Sequence, residues 1–207
     1  MRRLLLSIAV CFGLVQVVFG QSDSVAAKPS HVVGDTWIYR TVDWGKEKRR
    51  NKFVVLAVKG DVISLESTPV QIDGATNVGT PGKFNALLDK WDFFGSRIVS
   101  GSRSNIRFPL SVGDKWSYEY ALANMTLQYE VSVDALEDVA VPAGTFRAFK
   151  IVHSGRYKMS DGSSTVRETF WYAPNVRNFV KWEHQSRAFN GSMYDNVQRE
   201  LTEYKVN

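Results

Sequence analysis

Apolar and polar positions alternate along most of this chain, and Gly, Pro, Asn and Asp interrupt the alternation at short intervals. A period of two is the mark of strands that bury one face. It predicts strands over 37–42, 52–58, 62–67, 116–121, 126–134, 145–153, 165–172, 178–186 and 194–205. Lys59-Gly60-Asp61 lies between two β-branched runs and reads as a hairpin turn. Val141-Pro142-Ala143-Gly144-Thr145 and Ala173-Pro174-Asn175 read as further reversals. One segment has another period. Phe84, Leu87, Leu88 and Trp91 fall at helical spacing after a loop punctuated by Pro69, Gly74, Gly79, Pro81 and Gly82, which predicts one short helix.

Within this pattern one phrase occurs twice. Val33-Gly34-Asp35-Thr36-Trp37-Ile38-Tyr39 returns as Val112-Gly113-Asp114-Lys115-Trp116-Ser117-Tyr118. In each copy a Gly-Asp turn precedes a Trp and a Tyr two residues apart, which share one face of a strand. The recurrence predicts two related β halves, 31–106 and 107–207, packed as one domain because neither has much core alone. Phe53 to Val58 then corresponds to Tyr129 to Asp134, and Asp61 to Leu65 more loosely to Thr145 to Phe149. The expected fold is all-β and antiparallel, as a curved sheet, a barrel or a sandwich, with at most one short helix.

The start of the chain departs from the alternation. Met1-Arg2-Arg3 is followed by Leu4 to Phe19, apolar except for Ser7 and Gln16, and then by Gln21-Ser22-Asp23-Ser24. That is the layout of a signal peptide over 1–20, with Val18 and Gly20 at the small-residue cleavage positions; a later cut after Ala27 is the alternative. The apolar run is about 16 residues, short of the roughly 20 that span a bilayer, so the mature chain is not expected to be an integral membrane protein. Residues 21–30 read as a flexible leader. Cys11 leaves with the signal peptide, and Val10 before it stands where a lipoprotein cysteine needs a small residue. A cysteine-free exported chain with a short basic start points to a bacterial periplasm or to secretion.

Charge changes the picture little. The 26 basic and 21 acidic residues give +5, and loss of Arg2 and Arg3 leaves 24 against 21. The run Lys46-Glu47-Lys48-Arg49-Arg50-Asn51-Lys52 reads as a solvated hairpin tip rather than a nucleic-acid or anionic-lipid patch. No nucleic-acid partner is expected.

The second half carries Phe108-Pro109-Leu110, Val112-Gly113-Asp114, Trp116 and Tyr118, then Val141-Pro142-Ala143-Gly144-Thr145-Phe146, then Trp171-Tyr172-Ala173-Pro174. In these residues it resembles a set of exported bacterial β-rich proteins of unknown function that share this signature. The resemblance spans 107–183, while the first half has only the opening phrase. It implies an antiparallel β fold in the envelope and brings no activity with it.

Candidate chemistry is sparse. There is no Gly-x-Ser-x-Gly nucleophile elbow, and the mature chain has no cysteine. His31, His153 and His184 lack the close spacings of zinc ligands, and His153 and His184 read as ordinary strand residues. Asp35 and Asp161-Gly162-Ser163-Ser164 read as turns rather than calcium loops, and Gly95 to Ser104 lacks the lysine of a phosphate loop. No catalytic, cofactor-binding or metal residue is assigned, and no cofactor is expected. Trp37, Tyr39, Trp116, Tyr118, Trp171, Tyr172 and Trp182 are expected in the core, with Trp44 and Trp91 the first choices for exposure. The sequence reading is a non-catalytic binding or carrier module for a small apolar ligand. The alternative is an interaction protein that meets an envelope partner through a sheet edge or aromatic face; a hydrolase stands third.

Overall fold

The computed structural model describes residues 25–72, 81–87, 98–159, 162–188 and 190–207. The strands are β1 (Val25–Ala26), β2 (Thr36–Asp43), β3 (Lys46–Lys59), β4 (Val62–Val70), β5 (Gly82–Leu87), β6 (Ser100–Gly101), β7 (Leu110–Ser111), β8 (Lys115–Leu122), β9 (Met125–Val141), β10 (Gly144–Met159), β11 (Gly162–Ala173), β12 (Asn178–Arg187) and β13 (Met193–Lys205). Eleven of them form one antiparallel sheet in the order β5-β4-β3-β2-β13-β12-β11-β10-β9-β8-β6, which is not closed into a barrel. β1 and β7 form a separate two-stranded ribbon. The sheet curls, so that β9 touches β12 and β13 across the interior although they lie three and four places away.

The registers stack the inner face in cross-strand rows. Ile151, Phe170, Trp182, Arg199 and Thr41 form one row. Val131, His153, Glu168, His184 and Val197 form the next, and Tyr129, Gly155, Val166, Ser186 and Asp195 the one after. On the side of the apolar row the interior is filled. Trp37 Nε1 donates to the Val176 carbonyl at 2.9 Å, and the Tyr39 hydroxyl donates to the Phe179 carbonyl at 2.7 Å. Phe170 packs on Phe179 with ring centres 4.8 Å apart, and Phe108 stands edge-on to Tyr172. The polar tips of Trp37 and Tyr39 are thus satisfied by backbone where their rings are buried.

The two Gly-Asp turns have the same hydrogen bonds. Gly34 N and Gly113 N donate to the Val55 and Val133 carbonyls, and Val55 N and Val133 N donate back to the Asp35 and Asp114 carbonyls. The Asp side chains accept from Val32 N and Ser111 N. Both glycines hold positive φ, +93° and +95°, which the turn needs and L residues rarely adopt. Val55 therefore stands where Val133 does, two residues further along β9 than the sequence alignment of Phe53 with Tyr129 places it. A slip of two keeps the same face inward, so alternation alone cannot detect it.

Three segments differ from the sequence reading. Gly82–Leu87 is a strand paired with Val62–Ser67, and the described residues contain no helix. The apolar spacing there covers too few residues for a helix to outweigh pairing with the open edge of β4. Residues 88–91 of the expected helix, with Trp91, lie outside the described residues, as do the signal peptide with Cys11, Asp161 and loop residues 73–80. The basic run 46–52 is not a hairpin tip: it is the first half of β3, and Trp44-Gly45 makes the turn. In the leader, Val25 and Ala26 pair with Ser111 and Leu110, and Ala26 is buried, because its small side chain fits the core beside Leu110.

Candidate functional site

At the end of the sheet where the β8–β9, β2–β3 and β12–β13 turns gather, the interior is not filled. A cavity of about 530 Å3 opens there. Tyr120, Leu122, Met125, Leu127 and Val197 make its apolar walls; Arg49, Arg103, Glu168, His184, Ser186 and Asp195 bring polar groups to it. Gly155 leaves room for one wall, since a Cβ on it would lie 2.6 Å from the Tyr129 ring.

Glu168 and His184 sit in the row of Val131 and Val197, and Ser186 and Asp195 in the row beside it. Glu168 is 2% exposed on β11, with His153 on one side and His184 on the other. Its Oε1 lies 3.3 Å from His184 Nδ1, and its Oε2 lies 3.5 Å from Arg103 Nη2. Arg103 comes from the segment between β6 and β7, buried with its guanidinium 5.5 Å over the Tyr120 ring. Burial alone would raise the Glu168 pKa; the hydrogen bond to His184 and the charges of Arg103 and His184 outweigh it and hold the carboxyl down at about 2.

His153 is fully buried and has two neutral-state partners. Nε2 lies 3.1 Å from the Asn105 carbonyl, which can only accept, so Nε2 carries the proton and Nδ1 accepts from the Tyr118 hydroxyl at 2.9 Å. Burial lowers its pKa to about 4, against the opposing charge of Glu168. Burial, with the Glu168 charge added, raises the phenols of Tyr118, Tyr129 and Tyr157 above their ordinary value. The cavity is thus lined by one fixed carboxylate and protonated tyrosines at neutral pH, with the neutral His153 behind them beside Glu168.

His184 also reaches Ser186: Nε2 to Oγ is 2.7 Å. Acid, imidazole and hydroxyl are therefore connected in the order Glu168, His184, Ser186, in a cavity. Asp195 Oδ2 lies 3.4 Å from the same Nε2, and the Tyr157 hydroxyl bonds to Ser186 as well. β12 is paired on both sides, so backbone N–H groups around Ser186 lie in the plane of the sheet, directed along its ladders rather than into the cavity.

A larger, open depression of about 1020 Å3 lies on the sheet nearby, its lining dominated by polar side chains that include Ser117, Glu119, Gln128, Glu130, Arg156 and Arg167. It has the make-up of a solvated strand face.

The structure brings together two of the three histidines named from sequence. His153 and His184 flank Glu168, while His31 packs edge-on against Trp37 with Nδ1 3.5 Å from Asp35. Trp37, Tyr39, Trp116, Tyr118, Trp171, Tyr172 and Trp182 are buried, and Trp44 is 57% exposed. Sequence reasoning missed Glu168 and Arg103. Glu168 had a legible signal: it shares parity with Val166 and Phe170, placing a carboxylate on the apolar face of its strand.

No protein-family model and no curated protein sequence matches the chain. Among solved structures, the chain is similar to a lipoprotein candidate from Parabacteroides distasonis. The TM-score is 0.55 at 16% identity, over 87% of this chain and 99% of that one. The two share a fold. It is also similar, with a TM-score of 0.47 at 13% identity, to an exported-protein candidate with a YmcC-like fold from Bacteroides fragilis, over 88% and 99% of the respective chains.

Proposed function

We propose that the mature chain is an exported bacterial binding module that holds a small, largely apolar ligand in the cavity at the open end of its curled sheet, without chemistry. The cavity carries this reading. Its volume of about 530 Å3 falls in the usual range of ligand sites. Its walls are mostly apolar and aromatic, and a few fixed polar groups converge on it, which is the composition such sites share. The signal-like start of the chain, the signature resemblance and the fold shared with a lipoprotein candidate all agree with an envelope location. Native mass spectrometry of the protein isolated from its own host tests the reading. A stoichiometric small molecule is expected, and a bare polypeptide mass argues against it.

One observation favours a second reading, the hydrolase: the connected Glu168, His184 and Ser186. Against it stand the burial of Ser186, at 1% exposure, and the commitment of nearby backbone donors to the ladders, where an oxyanion would need them. A fluorophosphonate probe decides between them. Covalent labelling of Ser186, abolished in Ser186→Ala and in His184→Ala, would make the protein a serine hydrolase; no labelling is expected.

A further inference from the structure

We propose that the cavity takes a single-chain amphipathic anion, with its carboxylate or phosphate head against Arg49 at the mouth and its alkyl chain along Leu122, Met125 and Leu127. The inference rests on the binding reading above and adds the ligand's chemistry.

The charges around the cavity do not balance internally. Glu168 is taken up by Arg103 and His184, and Asp195 lies against His184. Arg49 lines the cavity from β3, exposed, with no hydrogen bond or ion pair among the described residues. Behind it, two places away on the same cross-strand row, Arg199 is buried with its guanidinium 5.6 Å over the Trp182 ring. Three guanidiniums thus face or back the cavity against two carboxylates. Burial, then the charge of Arg49, lowers the Arg199 pKa to about 10, so the two cations are close enough to repel. An anion at Arg49 relieves that repulsion and gains charge-assisted hydrogen bonds from a planar donor fork.

Beyond these mutually paired polar groups the walls are apolar and aromatic, so a small inorganic anion would leave much of the cavity empty. Leu122 and Met125 flank the β8–β9 turn, and Leu127 continues inward from them. The rim has the same dual character. Trp44 and Tyr194 are exposed near it, on either side of the Trp44 N to Asn196 carbonyl bond, and Lys46 and Lys48 are exposed on the strand that carries Arg49. Aromatic rings with basic side chains suit the boundary between an anionic head and an apolar chain.

Calorimetric titration of the mature protein below micellar concentrations tests this, with dodecanoate, dodecyl phosphate, methyl dodecanoate and acetate as probes. At least one of the two long-chain anions is expected to bind about ten-fold or more tighter than the methyl ester, and acetate weakly. The tighter of the two identifies the head as carboxylate or phosphate. In Arg49→Met, which keeps an apolar stem, the preference over the ester should collapse. Equal binding of ester and anions, or a preference that survives in Arg49→Met, overturns the inference and leaves the binding reading standing. If no long-chain probe binds, the inference falls, and the native mass spectrum decides separately whether the binding reading falls with it.

Discussion

Glu168 and His184 stand opposite each other on β11 and β12, Oε1 to Nδ1 at 3.3 Å, with the carboxylate almost wholly buried. A buried charge held this way couples stability to pH. The Glu168 pKa is lower folded than unfolded, so its contribution is present above the ordinary carboxylate value and is lost as pH falls towards about 2. Glu168→Gln should lower stability at neutral pH and flatten the acid limb below about pH 4.5 in chemical denaturation. An unchanged acid limb would remove Glu168 from the account.

His153 acts in a different window. Its folded pKa of about 4 lies below the unfolded value, so the unfolded chain binds the extra proton first. Stability is then full above pH 6.5 and falls between there and pH 4, by about 3 kcal/mol in all. His153→Gln should be less stable at neutral pH but show a flatter profile through this window, measured by urea unfolding at stepped pH.

Gly155 is predicted to resist substitution although its backbone is extended. A Cβ there would meet the Tyr129 ring at 2.6 Å and the Gln128 carbonyl at 2.7 Å, and the carbonyl belongs to the ladder and cannot move away cheaply. Gly155→Ala should cost about 1–3 kcal/mol, as overpacking does, and disturb the cavity wall. Gly144 works by another mechanism. Its φ of +132° closes the Val141–Gly144 reversal, where a Cβ would meet only the Phe146 ring at an ordinary 3.9 Å, so Gly144→Val should cost more than about 1 kcal/mol chiefly through backbone strain.

Trp37 and Trp116 hold the same place after the two Gly-Asp turns, and their indole N–H groups donate to the carbonyls of Val176 and Ser104. Truncation of either to Ala should cost about 3–5 kcal/mol in thermal or chemical unfolding. Trp116→Ala should also loosen the segment that carries Arg103, so ligand affinity should fall further than with Trp37→Ala.

Much of this fold was legible in the chain because period-two alternation reports local burial directly. The strands from 116 to 205 lie within three residues of their expected starts, and the paired Gly-Asp turns are written in the sequence. Register and long-range pairing were not legible. Nothing local says that β13 closes against β2, or that a slip of two separates Phe53 from Tyr129. The site failed to appear for the same reason. His153 and His184 are 31 positions apart and meet only through Glu168, which alternation could have flagged as a carboxylate on an apolar face. Arg103 arrives from an irregular segment, which carries no periodic signal at all.

The account stands or falls on whether the open-end cavity is a binding site. Native mass spectrometry of the wild-type protein beside Leu122→Trp, both isolated from the original host, tests this most directly, since an indole at 122 fills the cavity mouth while the core stays intact. The account predicts a small molecule bound one to one in the wild type and lost in the variant. A wild type with nothing bound, or equal occupancy in the two proteins, would contradict it.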